Sequence, residues 1–192
     1  MRLLALSLVA FALPAHAAAT RFGDSGAIVP IGSLQATYSS NGSLNQTVLG
    51  FSPGALFFFT DNVAVGAQLD LTYLSYSVPD STTQVSATSF GIAPTLALNV
   101  PIAERVSFLP ALGVRIGSST PFSIVGASHE TQTRVTVQAF APMLFHVAPH
   151  FFLGAGPVFS LDVYASNLSS GARSGAPKTT SFGAQSIIGG WF

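Results

Sequence analysis

The chain has 192 residues, of which 48% are hydrophobic and only 7% are charged, whereas soluble globular domains carry roughly 25% charged residues. Its net charge is zero, which excludes the basic footprint of nucleic-acid-binding proteins, so no nucleic-acid partner is predicted. It has no cysteine, so an exported chain of this size cannot rely on disulfides. This composition predicts that something other than water contacts much of the surface.

The amino terminus predicts export. Residues 1–20 read MRLLALSLVAFALPAHAAAT, in which Arg2 precedes an apolar run and the small-residue motif AHA at 15–17. This order is typical of a cleaved secretory signal peptide, and the apolar run is shorter than the roughly 20 residues of a membrane anchor. We predict a signal peptide at 1–17 (cleavage after Ala19 is the alternative), a short N-terminal segment at 18–29 and one barrel domain at 30–192.

The remaining chain shows the alternation of β-strands. Between Val63 and Tyr73 the odd positions are apolar, whereas the even positions include Gln68 and Asp70. The same period of two residues recurs in three later segments, and it indicates strands with one apolar face. The eight strands that we predict cover 30–39, 46–59, 63–77, 84–100, 105–117, 132–147, 151–165 and 179–192.

A water-soluble sandwich would show the same alternation, but two features favour a membrane barrel. The less apolar face holds Gly, Ala, Ser and Gln rather than the Lys, Glu and Arg of solvent-facing sheet. Tight turns near 60–62, 101–104 and 148–150 also alternate with longer polar loops, as in outer-membrane barrels with short periplasmic turns and long external loops. The predicted fold is all-β, an eight-stranded antiparallel up-and-down transmembrane β-barrel, whose interior side chains can fill.

Two motifs resemble a known family. The hairpin pattern SP…FF.TDN.A.G at 52–66 and the terminal IIGGWF resemble the bacterial outer-membrane β-barrel domain family, of the OmpA, OmpX and OmpW kind, over essentially the whole mature chain. The resemblance implies that Phe192 is the aromatic assembly signal recognised by the barrel-assembly machinery. It also implies a Gram-negative outer-membrane location and, by analogy with OmpW-like barrels, passage of small hydrophobic molecules as one alternative.

Four charged residues fall on or near the predicted lumen face: Asp70, Arg115, Arg134 and Asp162. Their charges balance, and a buried charge needs a partner to be tolerated, so we predict an internal ion-pair network. The network could act as a gate for a small conductance, but a structural plug is favoured because the interior of an eight-stranded barrel is narrow. The facing of residues 134–146 stays open, because Phe140 and Pro142 favour one register and Val135 and Val137 the other.

Aromatic residues near the strand ends predict the interfacial girdle of such barrels. The predicted girdle residues are Tyr38, Phe57, Phe59, Tyr73, Phe108 and Phe151. The histidines predict no metal site, since Pro149 and the strand context deny His146 and His150 a shared helical face. His129 and Glu130, beside Ser128 in an external loop, are the one cluster that could suit lipid-modifying chemistry, but without an oxyanion partner they predict no catalysis.

Together these patterns predict a non-enzymatic outer-membrane barrel with a structural or surface-interaction role and with its long loops outside the cell. The alternatives are a narrow channel or transporter for small molecules, including hydrophobic ones, and, least supported, a lipid-modifying enzyme. No cofactor is predicted. The expected partners are outer-membrane lipid and lipopolysaccharide, and the expected state is a monomer.

Overall fold

The structure is a computed structural model that describes residues 21–40, 45–77, 84–121, 130–169, 172–176 and 178–192. No helix long and apolar enough to cross a membrane occurs in these ranges. Their β-segments, in chain order, are β1 (Ile28–Ser40), β2 (Asn45–Thr60), β3 (Val63–Ser77), β4 (Gln84–Leu98), β5 (Val100–Ala103), β6 (Val106–Phe108), β7 (Ala111–Pro121), β8 (Glu130–Phe140), β9 (Met143–Ala148), β10 (Phe151–Ser169), β11 (Ala172–Gly175) and β12 (Thr180–Gly190).

These segments form an eight-stranded antiparallel ring. Three strands of the ring have a short interruption and consist of two segments each: β4 with β5, β6 with β7, and β8 with β9. β11 is not a strand of the ring and pairs only with the end of β10. The neighbours along the ring pair antiparallel from β1 to β12. The predicted fold is therefore confirmed, and most strand ends lie within a few residues of the predicted ones. The largest shifts are four residues, at β7, which continues to Pro121 rather than 117, and at β10, which continues to Ser169 rather than 165.

The ring closes between the last and first strands at one end only. The registered pairs are Ile31–Gly189 and Gly32–Ile188. Next to them, the backbones of Ile28 and Phe192 exchange two hydrogen bonds of 3.0 and 3.2 Å. This end also holds the tight turns at Asp61–Asn62 and Pro149–His150 and is called the turn end; the opposite end is called the loop end. Towards the loop end, β1 and β12 have no further registered pair.

Five prolines lie at interruptions of the wall. Pro110 and Pro142 lie in the interruptions between β6 and β7 and between β8 and β9. Pro53, Pro94 and Pro157 lie inside strands, but each falls where the ladder to one neighbour skips a pair of residues. Because proline has no N–H to donate, it fits only where the ladder is already broken.

The structure resolves the open register of residues 134–146. Arg134 and Thr136 make side-chain hydrogen bonds inside the barrel, and further along the chain Pro142 and Leu144 are buried. Even positions therefore face inward on both sides of the interruption. A bulge in β10 was not predicted: the register shifts between Asp162 and Tyr164, so the inward positions change from even to odd after it.

The hydrophobic core lies inside the barrel at the turn end. The large buried side chains of this core are Val29, Ile31, Leu56, Phe58, Leu109, Leu144, Phe152, Ile187 and Trp191. The alternation predicts inward faces that are mainly small or polar, with Phe58 turned inward, and at the turn end the inward side chains are instead mostly large and apolar. The bulky residues fit because Gly66 and Gly154, on neighbouring inward positions, leave room for them: a Cβ there would lie 2.8 Å from Leu56 and 2.6 Å from Leu144.

Candidate functional site

A short N-terminal segment closes the turn end of the lumen. This segment, residues 21–27, is called the turn-end plug, and its Phe22 ring packs into the core. The ring lies edge-on to Phe58, Phe152 and Trp191, with centroid separations of 5.4, 5.3 and 5.6 Å. Edge-to-face aromatic pairs contribute about 0.5–1.5 kcal/mol beyond their buried area, so Phe22 anchors the segment to the barrel.

Backbone hydrogen bonds join the plug to β2 and to the first tight turn. The N–H of Gly26 donates to the carbonyl of Phe58 at 2.7 Å, and the N–H of Phe58 donates to Ala27 at 3.0 Å. The N–H of Asn62, in the first tight turn, donates to the carbonyl of Gly23 at 2.7 Å. Gly23 has φ of 100°, and a Cβ there would lie 2.7 Å from the Asn62 side-chain oxygen. A glycine is therefore required at this contact.

Beside the plug lies a cavity of about 760 Å³ that contains a serine–histidine contact. Ser107 Oγ and His146 Nε2 are 2.6 Å apart, but His146 Nδ1 has no hydrogen-bond partner. A hydrolytic triad needs a carboxylate at that nitrogen to orient the imidazole, so the pair is a buried polar contact. His150 instead contacts the Trp191 carbonyl through Nδ1 at 3.0 Å. Among the described residues, no group of three or more His, Cys, Asp or Glu could hold a metal ion.

Glutamine side chains cross the middle of the lumen. Gln185 Nε2 donates to Ser33 Oγ at 2.8 Å, and Gln138 Nε2 lies 3.5 Å from Gln185 Oε1. With Gln68 they surround a cavity of only about 30 Å³, which is about the share of one water molecule in the liquid. This polar layer separates the apolar turn end from the charged loop end.

The first ion pair of the loop end joins Arg134 on β8 to Asp162 on β10. Both carboxylate oxygens of the buried Asp162 are engaged. Oδ1 accepts from Thr136 Oγ1 at 2.7 Å, and Oδ2 accepts from the backbone N–H of Thr179 at 3.0 Å as well as from Arg134 Nη1. Arg134 also donates through Nε to Gln132 at 2.7 Å. These hydrogen bonds offset the desolvation cost of burying the ion pair.

The second ion pair, between Arg115 on β7 and Asp70 on β3, is held more loosely. Arg115 Nε lies 3.3 Å from Asp70 Oδ2, and no hydrogen bond to that oxygen satisfies normal geometry. Asp70 Oδ1 accepts from Ser52 Oγ at 2.6 Å. Arg115 reaches Asp70 across β4 because Gly91 has no side chain: a Cβ there would lie 3.2 Å from Arg115 Nε.

The four predicted lumen charges are therefore brought to one level of the barrel as two pairs. Thr136 is the cross-strand neighbour of both Arg115 and Asp162 and stands between the pairs. Towards the loop end, a cavity of about 400 Å³ opens beside them. Its wall includes Arg115, Arg134 and Asp162, and most of its other lining residues are Ser or Thr.

The remaining predicted residues lie where the wall meets its surroundings. Phe57, Phe59, Tyr73 and Phe151 have exposed side chains, and Phe108 is half-buried. Phe192 is exposed at the turn end, whereas the preceding Trp191 is buried. The side chain of Tyr38 and the residues Ser128 and His129 lie outside the described part of the chain, and only the backbone of Glu130 is described.

No protein-family model matches the chain, and no curated protein matches its sequence. Among solved structures, it is similar to Ail, the attachment invasion locus protein of Yersinia pestis, with 17% identity over 87% of this chain and 98% of Ail, at a TM-score of 0.51. It also matches Neisserial surface protein A, with 15% identity over 87% of this chain and 96% of that one, at a TM-score of 0.47. The likeness to Ail concerns the fold: the chain has the fold of the eight-stranded outer-membrane β-barrels.

Proposed function

We propose that this chain is exported by a cleaved signal peptide to the bacterial outer membrane, where it is a monomeric barrel with a structural or surface-interaction role. The observation that carries the proposal is the closed turn end. Val29, Phe58, Leu144 and Phe152 inside the barrel have no exposed surface. A side chain that lined an aqueous path would be reached by a water-sized probe, so these residues fill the lumen rather than line a pore.

The outer face of the wall supports a lipid environment. Phe51, Leu71, Ile92, Leu112 and Leu153 point outward from five different strands, and each keeps between 44% and 55% of its surface exposed. Such exposure of large apolar side chains would be costly in water, and it matches the apolar band of membrane barrels. Outer-membrane lipid, including lipopolysaccharide, is the partner that this face fits.

The two ends of the barrel support an orientation. The tight turns and the exposed Phe192 lie at one end, which suits short periplasmic turns and a C-terminal signal for the barrel-assembly machinery. The strands that flank 41–44, 78–83 and 122–129 all end at the opposite end, which would place these longer connections outside the cell. A surface role follows from this orientation, since only the loop end would meet external partners.

Single cysteines test this orientation, because the chain has none of its own. Intact cells carrying Ser81→Cys or Asp61→Cys are treated with a membrane-impermeant maleimide, and the labelling is repeated on lysed cells. We expect Ser81→Cys to be labelled in intact cells and Asp61→Cys only after lysis. The reverse pattern, or labelling of both in intact cells, would contradict the proposed orientation. Heat-dependent gel mobility of the unlabelled protein reports whether the barrel is folded.

The second candidate function, a narrow transporter, rests on the incomplete seam between β1 and β12. Beyond Gly32 and Ile188 these strands have no registered pair, and an unpaired edge is unfavourable in lipid. Such a seam would favour lateral exit of a small apolar molecule from the lumen. A bifunctional thiol reagent bridging Leu34→Cys and Ser186→Cys tests it, because Ser186 Oγ lies 3.4 Å from the Leu34 carbonyl oxygen. Uptake of an apolar probe that the bridge abolishes would favour transport over the surface role.

A further inference from the structure

At the loop-end cavity, Arg115 has hydrogen-bond donors without an acceptor. The one carboxylate that lines the cavity belongs to Asp162. Both of its oxygens already accept hydrogen bonds, from Thr136, Thr179 and Arg134. Arg115 approaches Asp70 through Nε alone, and in the described residues neither of its Nη groups donates a hydrogen bond. A guanidinium presents its N–H groups in a rigid fork that matches a carboxylate or phosphate. The Nη groups of Arg115 therefore lack an acceptor.

The Nε end of the Arg115 guanidinium is positioned by the groups around it. Its Nε lies against the backbone of β4 and β7 at Gly91 and Gly117, where added Cβ atoms would come within 3.2 and 3.8 Å of it. Asp70 fixes the same nitrogen from β3. Arg115 lines the cavity and Asp70 does not, so the carboxylate anchors the arginine from behind. Such preorganisation reduces the entropy that a ligand must remove on binding.

The charged groups that line the cavity also favour an anion. Two guanidinium groups, Arg115 and Arg134, and one carboxylate, Asp162, line it, because Asp70, which balances the charge of Arg115, lies behind that residue and outside the lining. The rest of the wall is mainly hydroxyl groups, such as those of Ser89, Ser119 and others on the facing strands. Hydroxyls can donate to an anion and can also bond the hydroxyl groups of the molecule that carries it.

We propose that the loop-end cavity binds a small oxyanion, a phosphate or carboxylate, through the Nη groups of Arg115. At about 400 Å³ the cavity is in the lower range of small-molecule sites, so the anion would be carried by a body no larger than a hydroxylated sugar. Asp70 acts here as a positioning residue, and Arg134 supplies a second positive charge. This ligand site is additional to the proposed surface role and does not depend on it.

The direct test follows the arginine side chains of the folded wild-type protein by nitrogen-15 NMR in detergent micelles during a titration with inorganic phosphate. We expect a saturable shift of the Arg115 Nε–H signal. Arg105 at the turn end and Arg173 on β11, both exposed, are internal controls and should show only the weak, linear drift of non-specific binding. No saturation at Arg115, or the same response at all three arginines, would overturn the proposal.

Variants assign the binding to the fork of Arg115. The Arg134 Nε–H signal, which belongs to the same cavity, follows phosphate binding in every variant. By this signal, Arg115→Gln should weaken binding by about tenfold or more, as loss of a charged hydrogen-bond partner predicts. Arg105→Gln removes the same charge at the other end and should leave binding unchanged. Arg115→Lys keeps the charge but loses the fork, so its affinity for phosphate should lie between those of Arg115→Gln and the wild type. Equal binding by Arg115→Gln and the wild type would also overturn the proposal, and gel mobility before and after heating verifies that each variant is folded.

The same phosphate chemistry could come from a soluble ester or from a lipid headgroup. Glucose 6-phosphate in solution and phosphatidic acid in a lipid nanodisc are therefore compared by the shift of Arg115. Saturation with the sugar phosphate alone supports a soluble ligand that enters from the loop end. Saturation with the lipid alone supports a headgroup that enters through the seam. No saturation with either, together with none for inorganic phosphate, contradicts the site.

Discussion

The two ends of the lumen are built from opposite materials. At the turn end, aromatic and aliphatic side chains pack around Phe22 and Phe58 with little exposed surface, as in the interior of a soluble protein. At the loop end, ion pairs and hydroxyl groups surround a cavity of about 400 Å³. The two ends are formed by the same eight strands, so the difference lies mainly in the side chains that face the lumen. It shows how one short barrel can be sealed at one end and leave a polar site open at the other.

The difference also separates two sources of stability. A packed apolar core contributes through burial and close contact, and any removed group leaves a void. A polar network contributes only when its members are satisfied, and a half-satisfied member costs free energy. We therefore expect substitutions at the turn end to destabilise according to the volume removed. Substitutions at the loop end should do so according to the number of hydrogen bonds lost.

Phe58→Ala should have the largest effect, a loss of about 3–5 kcal/mol in the free energy of unfolding, because it leaves a cavity in a core that cannot fully collapse. The matched control is Phe57→Ala, which removes the same atoms from the adjacent outward position, where 45% of the side chain is exposed. Lipid chains can fill that space, so the control lacks the cavity contribution. Reversible urea unfolding in lipid vesicles measures both.

Equal losses for the two phenylalanine variants would contradict a packed turn end. The fluorescence of Trp191, the single tryptophan of the chain, reports on the same core during the titration. Its emission should shift to longer wavelength when Phe58 is removed and stay unchanged in Phe57→Ala, because only the first change admits water to the buried indole.

Asp162→Asn should cost about 2–3 kcal/mol, because it leaves the charge of Arg134 without its carboxylate. The new amide can keep the hydrogen bonds only if its oxygen faces Arg134 and the Thr179 N–H and its NH₂ group faces the Thr136 hydroxyl, which must then turn from donor to acceptor. The same urea titration measures the loss. A cost below that of the looser pair at Asp70 would show that the number of hydrogen bonds does not set stability at the loop end.

Much of this architecture could be predicted from the sequence, because period-two alternation specifies both the strand and the face of each residue. The alternation predicts Asp70, Arg115 and Asp162 in the lumen, whereas it leaves the facing of Arg134 open. Their division into two pairs could not be predicted, since it depends on the stagger between strands and on Gly91, which lets Arg115 cross β4. The bulge after Asp162 is likewise invisible to a pattern that assumes strict alternation.

The turn-end plug was missed for a different reason. Phe22 lies in a segment with no periodic pattern, just after the predicted signal peptide, so nothing local indicates that it is buried. A signal did exist in the inward positions of Phe58, Phe152 and Trp191, which are too large for a hydrated lumen. Three inward aromatic residues at one end of a narrow barrel indicate a packed core. Such a core at an open barrel end would be exposed to water unless a further segment, here the turn-end plug, packs on it.

Phe22→Ala tests the turn-end plug. It should lower the free energy of unfolding by about 2 kcal/mol, since it removes three edge-to-face contacts of a half-buried ring. Its more specific result is access: a soluble quencher such as acrylamide should reach Trp191 more readily than in the wild type. Thr20→Ala, which precedes the plug in the sequence, is a control for changes in this part of the chain. Unchanged quenching in Phe22→Ala would show that residues 21–27 do not seal the lumen.

Asp70→Asn should have the smallest effect, below about 1 kcal/mol, because only Ser52 makes a normal hydrogen bond to this carboxylate and an amide oxygen can replace it. Arg115 would lose its anchor, but 32% of its side chain is exposed, so water in the lumen can solvate the released charge. Bilayer recordings of the variant distinguish the two roles of the ion pairs. A gate would open when the pair is broken and raise the single-channel conductance. The packed turn end predicts no change, because the lumen stays closed at Phe58 whatever the state of Asp70.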